Sequence, residues 1–317
     1  MSLIEQAAKR LEQLRKAGVE VTGSAADNEA PASANADSPV PTTPPIIKRQ
    51  AAAGTAAPAA VAVSRHIEID LNALSAAGLI SPDAPRSQLA DQYRVIKRPL
   101  IANAMGKGAT PIKRGNLIMV TSAVSGEGKS FTAINLAMSI AMELDNTVML
   151  VDADVPKPSV LKMLGLPPSR GLLDVLTDES VALSQVMMRT SVDKLSILPS
   201  GTQHARATEL LASEAMVKLL DEMANRYPDR IIIFDSPPLL MTTEARVLAS
   251  HMGQVVVVVK AESTVRSDVK HALAAIDSCP VKLVLLNQAR TSTQDGYGYG
   301  YGYGYGYGYG GKVAEDA

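Results

Sequence analysis

The chain has 317 residues, 46% of them hydrophobic and 20% charged, which describes an ordinary soluble globular protein somewhat longer than one average domain. Lys+Arg of 31 against Asp+Glu of 32 leaves a net charge of −1, so no global basic excess points to nucleic acid or to an anionic membrane. A single cysteine, Cys279, excludes an internal disulfide framework and a multi-cysteine metal site and suits a reducing cytoplasm, and no apolar run approaches the ~20 residues of a membrane span. Met1 to Lys16 scatters Glu5, Lys9, Arg10 and Glu12 among its apolar residues, unlike a secretory signal, so the chain is expected to stay inside the cell. The spacing of Leu3, Ala7, Leu11 and Leu14 predicts an amphipathic helix over residues 1–17, either docking on its own body or tethering a partner. Residues 18–64, with six of the 19 prolines amid alanine, serine, threonine and asparagine, read as a disordered linker.

A compact domain is expected over residues 65–292. After a brief alternation of Ile67, Ile69 and Leu71 and a helical stretch from Gln88 to Ala104, apolar runs alternate with helix-length segments. The predicted strands are Leu117 to Thr121, Val148 to Val151, Leu195 to Leu198, Ile231 to Phe234, Val255 to Val259 and Leu283 to Leu286. Helices are predicted at Lys129 to Glu143, Leu172 to Leu176, Ala207 to Tyr227, Thr243 to Ser250 and Val265 to Asp277. Runs of Val, Ile and Leu without polar alternation belong to strands covered on both faces, hence a doubly wound, mostly parallel α/β sheet with ligands beyond the strands' carboxyl ends. Residues 293–317 form a tail in which Tyr297 to Gly310 is seven Tyr-Gly dipeptides; glycine at every second position predicts a flexible, solvated segment.

Ala123-Val-Ser-Gly-Glu-Gly-Lys-Ser130 follows an apolar strand and opens a helix, as a phosphate-binding P-loop does. Its amides and the helix amino end supply positive potential, Lys129 a point charge for the β- and γ-phosphates, and Ser130 a hydroxyl for Mg2+. The nucleotide-contacting set is Ser125, Gly126, Glu127, Gly128, Lys129, Ser130 and Phe131, with Ala123 in place of the consensus first glycine. Asp152 and Asp154 close a second strand two residues apart, on the same side of an extended chain, and Asp235 closes a third as the Walker-B-type carboxylate. Acids gathered beside phosphates require a cation, and hard oxygen ligands from Ser130, phosphate, water and one or more of these aspartates suit Mg2+.

These residues resemble the bacterial tyrosine kinases: the P-loop Ser122 to Ser130, a Walker A′ segment Val148-Met-Leu-Val-Asp-Ala-Asp154 and the Walker B segment Ile231-Ile-Ile-Phe-Asp235. The resemblance runs from about Ser87 to the end, and the Tyr-Gly repeat is most similar to the autokinases of exopolysaccharide loci associated with PEP-CTERM/exosortase systems. It implies a P-loop NTPase-type fold and ATP-dependent tyrosine autophosphorylation of a tail in trans within a ring. The acceptors would be Tyr297, Tyr299, Tyr301, Tyr303, Tyr305, Tyr307 and Tyr309. It further implies a membrane activator of the chain-length-determinant type, a cytoplasmic position at the inner membrane held through that partner, and control of exopolysaccharide synthesis or export. The family's subunit-contact motif Glu-x-x-Arg-x-x-Arg is matched here by Asp91, Arg94 and Lys97, with both end residues changed. Lys157 stands where the family carries an arginine, and cannot reproduce a bidentate guanidinium fork. Asn287 resembles the adenine-contacting position of the broader ATPase class, and equally a polar strand-end residue making a turn.

The resemblance assigns Lys129 to charge neutralisation, Asp152 to orienting the phenol and taking its proton, and Asp154 and Asp235 to the metal and its waters. Two other readings fit parts of the pattern. One is a partitioning or division-type ATPase switch, against which stand the tyrosine tail and Val124, where those proteins carry a signature lysine. The other is an ATP-binding scaffold with a self-associating tail.

Overall fold

The computed structural model describes residues 65–83, 87–108, 110–226 and 229–290. The expected amino-terminal helix, the proline-rich linker and the tyrosine tail lie outside the described residues. The described residues build an eight-stranded sheet from β1 (Arg65–Ile67), β2 (Leu117–Ser122), β3 (Thr147–Asp152), β4 (Met188–Thr190), β5 (Leu195–Leu198), β6 (Arg230–Asp235), β7 (Gln254–Lys260) and β8 (Val281–Asn287). The strand order is β1-β4-β5-β3-β6-β2-β7-β8, and every neighbouring pair is parallel except β4 with β5. The helices are α1 (Leu71–Ala76), α2 (Gln88–Ala104), α3 (Lys129–Ala141), α4 (Val160–Met163), α5 (Leu172–Thr177), α6 (Leu183–Val186), α7 (Ala207–Leu211), α8 (Glu214–Arg226), α9 (Thr243–Ser250) and α10 (Arg266–Ala274).

Side chains alternate across a strand, so an unbroken apolar run feeds two cores at once. Ile118, Val120, Ile231 and Ile233 join the core beneath α2 and α3, while Leu117, Met119, Ile232 and Phe234 join the opposite core, which α8 and α9 cover with Leu219, Leu220 and Leu248. This is the doubly wound arrangement of the P-loop NTPases. The edge strand β8 departs from the expectation of two covered faces: its burial alternates, with Val284 54% and Leu286 61% exposed. The predicted helix from Ala207 to Tyr227 is two helices. Ser213 breaks it by donating to Leu210 O at 2.7 Å while accepting from Met216 N at 3.3 Å, a side chain that competes with the helical ladder and caps the next helix. No helix among the described residues is long and apolar enough to cross a membrane.

Parallel strands deliver their carboxyl ends to one rim. Consecutive strands β3, β6 and β2 pair in register Asp152 with Asp235 and Asp235 with Val120, so two acids far apart in the chain become neighbours just before the P-loop begins.

Candidate active site

The P-loop is held open by its glycines and tied down by its glutamate. Gly128 has φ +93°, and a Cβ there would lie 2.1 Å from Asn287 Nδ2, so the position demands glycine on both conformational and steric grounds. Glu127 is 2% exposed, and its carboxylate turns away from the phosphate side: Oε2 accepts from Val124 N at 2.7 Å, and Oε1 from the Thr264 hydroxyl and from Lys260 N at 3.4 Å. Its role is thus to tie the loop to the end of β7. Asn287 works beside it, Nδ2 donating to Glu127 O at 2.9 Å and Oδ1 accepting from Gln288 N at 2.9 Å. The strand-end amide expected at the adenine position is therefore engaged with the loop backbone.

Lys129 opens α3, and its Nζ lies 2.5 Å from Asp154 Oδ2 and 3.3 Å from Ser130 Oγ. A second oxygen of Asp154, Oδ1, accepts from Lys157 N at 3.2 Å. Asp152 is 1% exposed; its Oδ2 accepts the amides of Ser159 and Val160 at 3.1 and 3.0 Å, while Oδ1 is buried with no hydrogen-bond partner. Asp235 is fully buried, and its Oδ1 is likewise bare. Burial, reinforced by the facing Asp235 carboxylate, raises the Asp152 pKa to about 7, against the opposing pull of the Val160 and Ser159 amides. Burial also raises Asp235, to about 6, with Lys129 as the main opposing charge.

Ser159 is the residue that the sequence pattern did not single out. Its hydroxyl donates to Ser130 Oγ at 2.8 Å and stands 3.4 Å from Asp235 Oδ2, so it bridges the P-loop to the Walker-B strand. A lone serine in the segment Pro156 to Ser159 offers no periodic or motif signal; the only pointer was its place just after the two Walker A′ acids.

Ser125, Gly126, Lys129, Ser130, Phe131 and Asp154 line a cleft of about 470 Å3. Among the described residues no three His, Cys, Asp or Glu side chains form a ready-made metal cage. Mg2+ needs none where phosphates and water complete its shell, and one or two carboxylates with a hydroxyl suffice. The buried, donor-free Oδ1 of Asp235 fits that demand, because an orphaned carboxylate oxygen is costly unless a proton or cation satisfies it. The three residues expected to form a subunit contact do not share one exposure. Asp91 and Arg94 pair on the surface of α2, whereas Lys97 is 5% exposed and reaches inward to Ser139 O at 2.5 Å and Glu143 Oε1 at 2.6 Å.

Residues 115–285 match the AAA domain family. The chain is 32% identical over 221 residues to the tyrosine-protein kinase YwqD of Bacillus subtilis (strain 168), an alignment covering 69% of this chain and 89% of that protein. It is 29% identical over 218 residues to the putative tyrosine-protein kinase CapB of Staphylococcus aureus, covering 68% and 91%. Among solved structures, the chimerical protein CapA2B2 superposes with a TM-score of 0.58 at 27% identity, covering 72% of this chain and 95% of that one. The kinase domain of the Escherichia coli tyrosine kinase ETK shares the fold, with a TM-score of 0.54 at 19% identity over 74% of this chain and 94% of that one.

Proposed function

This chain belongs to the bacterial tyrosine kinase family, and on that premise we propose that it transfers the γ-phosphoryl group of ATP to the tyrosines of its own carboxyl-terminal repeat. The acceptors are Tyr297, Tyr299, Tyr301, Tyr303, Tyr305, Tyr307 and Tyr309, supplied in trans by another copy in a ring. What supports this reading above all is the pair Asp152 and Asp235, each with one buried and unpartnered carboxylate oxygen on adjacent strands beside a P-loop.

The P-loop amides and Lys129 bind the β- and γ-phosphates and take up charge as it shifts toward the leaving group. The phenol oxygen forms a bond to the γ-phosphorus as the bond from that phosphorus to the β,γ-bridging oxygen breaks; ADP leaves with the electron pair, and the phenolic proton passes to Asp152 Oδ1. Ser130, Asp154 and Asp235 would hold Mg2+, which would supply charge neutralisation at the phosphates. Because the transition state is loose, positioning counts for more than a strong base, and a carboxylate that orients the phenol and takes its proton late is enough. Asp91 and Arg94 face a neighbouring subunit, and a membrane protein of the chain-length-determinant type activates the enzyme at the inner membrane. The output is control of exopolysaccharide synthesis or export, a link in keeping with the relative named succinoglycan biosynthesis transport protein ExoP of Rhizobium meliloti (strain 1021), 31% identical over 233 residues.

Intact-mass and peptide mapping after incubation with ATP and Mg2+ tests the reading on three proteins: the intact chain, Lys129→Met and a deletion of residues 297–310. Phosphotyrosine confined to the tail and reduced by about 10²- to 10³-fold in Lys129→Met is the expected result. A tail that stays unmodified even with a cognate activator fragment present would instead favour an ATPase switch or an ATP-binding scaffold.

A further inference from the structure

The two edges of the sheet are not alike. Among the described residues, β1 at one edge is three residues long and shows Arg65 and His66 to solvent, a short, polar edge of the kind that discourages another strand. At the other edge β8 runs seven residues, contains no proline, and pairs among the described residues only with β7. Its single charged residue, Lys282, is drawn back to Asp277 at 3.0 Å. The register with β7 sets Val284 beside Val257 and Leu286 beside Val259, two buried core residues, yet Val284 and Leu286 themselves are exposed. On the opposite face Leu283 and Leu285 pack against the core beneath α2 and α3. A long apolar edge without a guard is a template for one more strand.

We infer that this further strand is the chain's own tail, Tyr297 to Gly302, docked antiparallel on the outer edge of β8 with its tyrosines over Val284 and Leu286. Period is the first ground: Tyr-Gly alternates strictly, so as a strand it turns every tyrosine to one face and every glycine to the other, and β8 alternates in the same period between an open apolar face and a packed one. The path of the chain is the second. The described chain reaches Arg290 just beyond β8 and already turns there, Gln288 taking φ +57° and donating its amide to Asn287 Oδ1. Length is the third: residues 287–296, rich in Asn, Ser, Thr, Asp and Gly, suffice as a connection that sets Tyr297 opposite Leu286, Tyr299 opposite Val284 and Tyr301 opposite Lys282. Residues directly opposite share a face, and aromatic rings beside branched side chains make favourable cross-strand pairs. The glycines then fall on the face where Leu283 and Leu285 need no further cover. A tethered segment also competes for β8 at a higher effective concentration than a free one. Half of the docked strand is glycine, so the pairing is weak and the tail can leave to be modified, while a phosphate would set charge against Val284 and Leu286 and keep the tail off. This resting place goes beyond the kinase reading and stands independently of it.

The test uses the full-length protein, phosphatase-treated and free of nucleotide, and reads amide hydrogen exchange over residues 281–288 by mass spectrometry. A strand docked this weakly opens locally long before the domain unfolds, so exchange reports it where melting does not. Exchange is expected to be slower by about threefold or more in the intact chain than in a deletion of residues 297–310, and equally so across about 100-fold dilution. Two variants should lose that difference. Val284→Thr combined with Leu286→Thr keeps strand propensity while removing the apolar face. A tail permuted into Tyr-Tyr-Gly-Gly blocks keeps the composition, breaks the period, and leaves the folded body untouched should the double substitution fail to fold. Equal exchange in the intact and tail-deleted chains would overturn the inference. So would protection that the permuted tail preserves, which would mark a sticky composition rather than a paired strand, and protection lost on dilution, which would make a second copy's tail the occupant. The kinase reading survives each of these outcomes, since it is decided by phosphate on the tail and not by where the tail rests.

Discussion

Asp152 uses one oxygen to accept the first amides of α4 and leaves the other buried and bare. Its pKa of about 7 has a consequence for stability. A carboxyl group raised from the ordinary range binds more protons in the folded than in the unfolded state between roughly pH 4 and 7, so stability falls as pH rises through that window. Asp152→Asn is therefore expected to melt higher than the parent protein at pH 8, by an amount on the order of 1–3 kcal/mol, with the difference shrinking at pH 5. Calorimetry of both proteins in chelator and without nucleotide checks this, and the same substitution should slow tyrosine transfer by about 10²- to 10⁴-fold. Glu127 makes the opposite case, an acid in the P-loop whose carboxylate is taken up by Val124 N, Lys260 N and the Thr264 hydroxyl. Glu127→Ala frees Val124 N and the Thr264 hydroxyl from their anchor, and nucleotide affinity should fall about tenfold, or ~1.4 kcal/mol, by equilibrium titration. The P-loop motif marks position 127 as part of the loop, but which way its side chain turns depends on β7 and α10, more than a hundred residues away.

Along α2, the three charged residues of one spacing pattern have different fates. Arg94 and Asp91 form an exposed i,i+3 pair, a type that contributes little to stability. Lys97, one turn further, is pinned under α3 by Ser139 O and Glu143. Arg94→Ala should accordingly shift stability by less than ~0.5 kcal/mol while loosening self-association in sedimentation velocity. Lys97→Ala should cost about 1–3 kcal/mol in denaturant unfolding, with Lys97→Met recovering part of it because the aliphatic stem stays packed. The bounds of α2, α9 and β5 coincide with those expected from periodicity and apolar content, whereas β7 and β8 run one to two residues further and α3 and α10 stop two to three residues short at their carboxyl ends. The pieces without a sequence signal are short ones, such as β4, α4 and α6, which hold three or four residues each and owe their geometry to neighbours.

For the whole molecule, the folded domain and the tail are expected to separate in function. Deleting residues 297–310 should leave melting and nucleotide affinity unchanged, because the described core is complete without them, yet abolish the phosphotyrosine signal. Each phosphate adds about −1.5 to −2 charge, so a fully modified tail should weaken the proposed self-association, and sedimentation of phosphorylated against unmodified protein would show a smaller species. The sequence by itself determined the doubly wound sheet, because most of its apolar runs can only be satisfied by cover on both faces, and it marked the candidate phosphate loop, because Gly-Lys-Ser stands at the junction of a strand and a helix. It marked three aspartates without arranging them. Only the tertiary structure decided that Asp152 and Asp235 stand side by side, that Ser159 bridges to them, that Glu127 and Asn287 brace the loop, and that one face of β8 is left open at the sheet edge. The reason is physical: local pattern fixes which side of a strand or helix a residue takes, whereas strand order and burial fix which distant groups meet and what their protons cost.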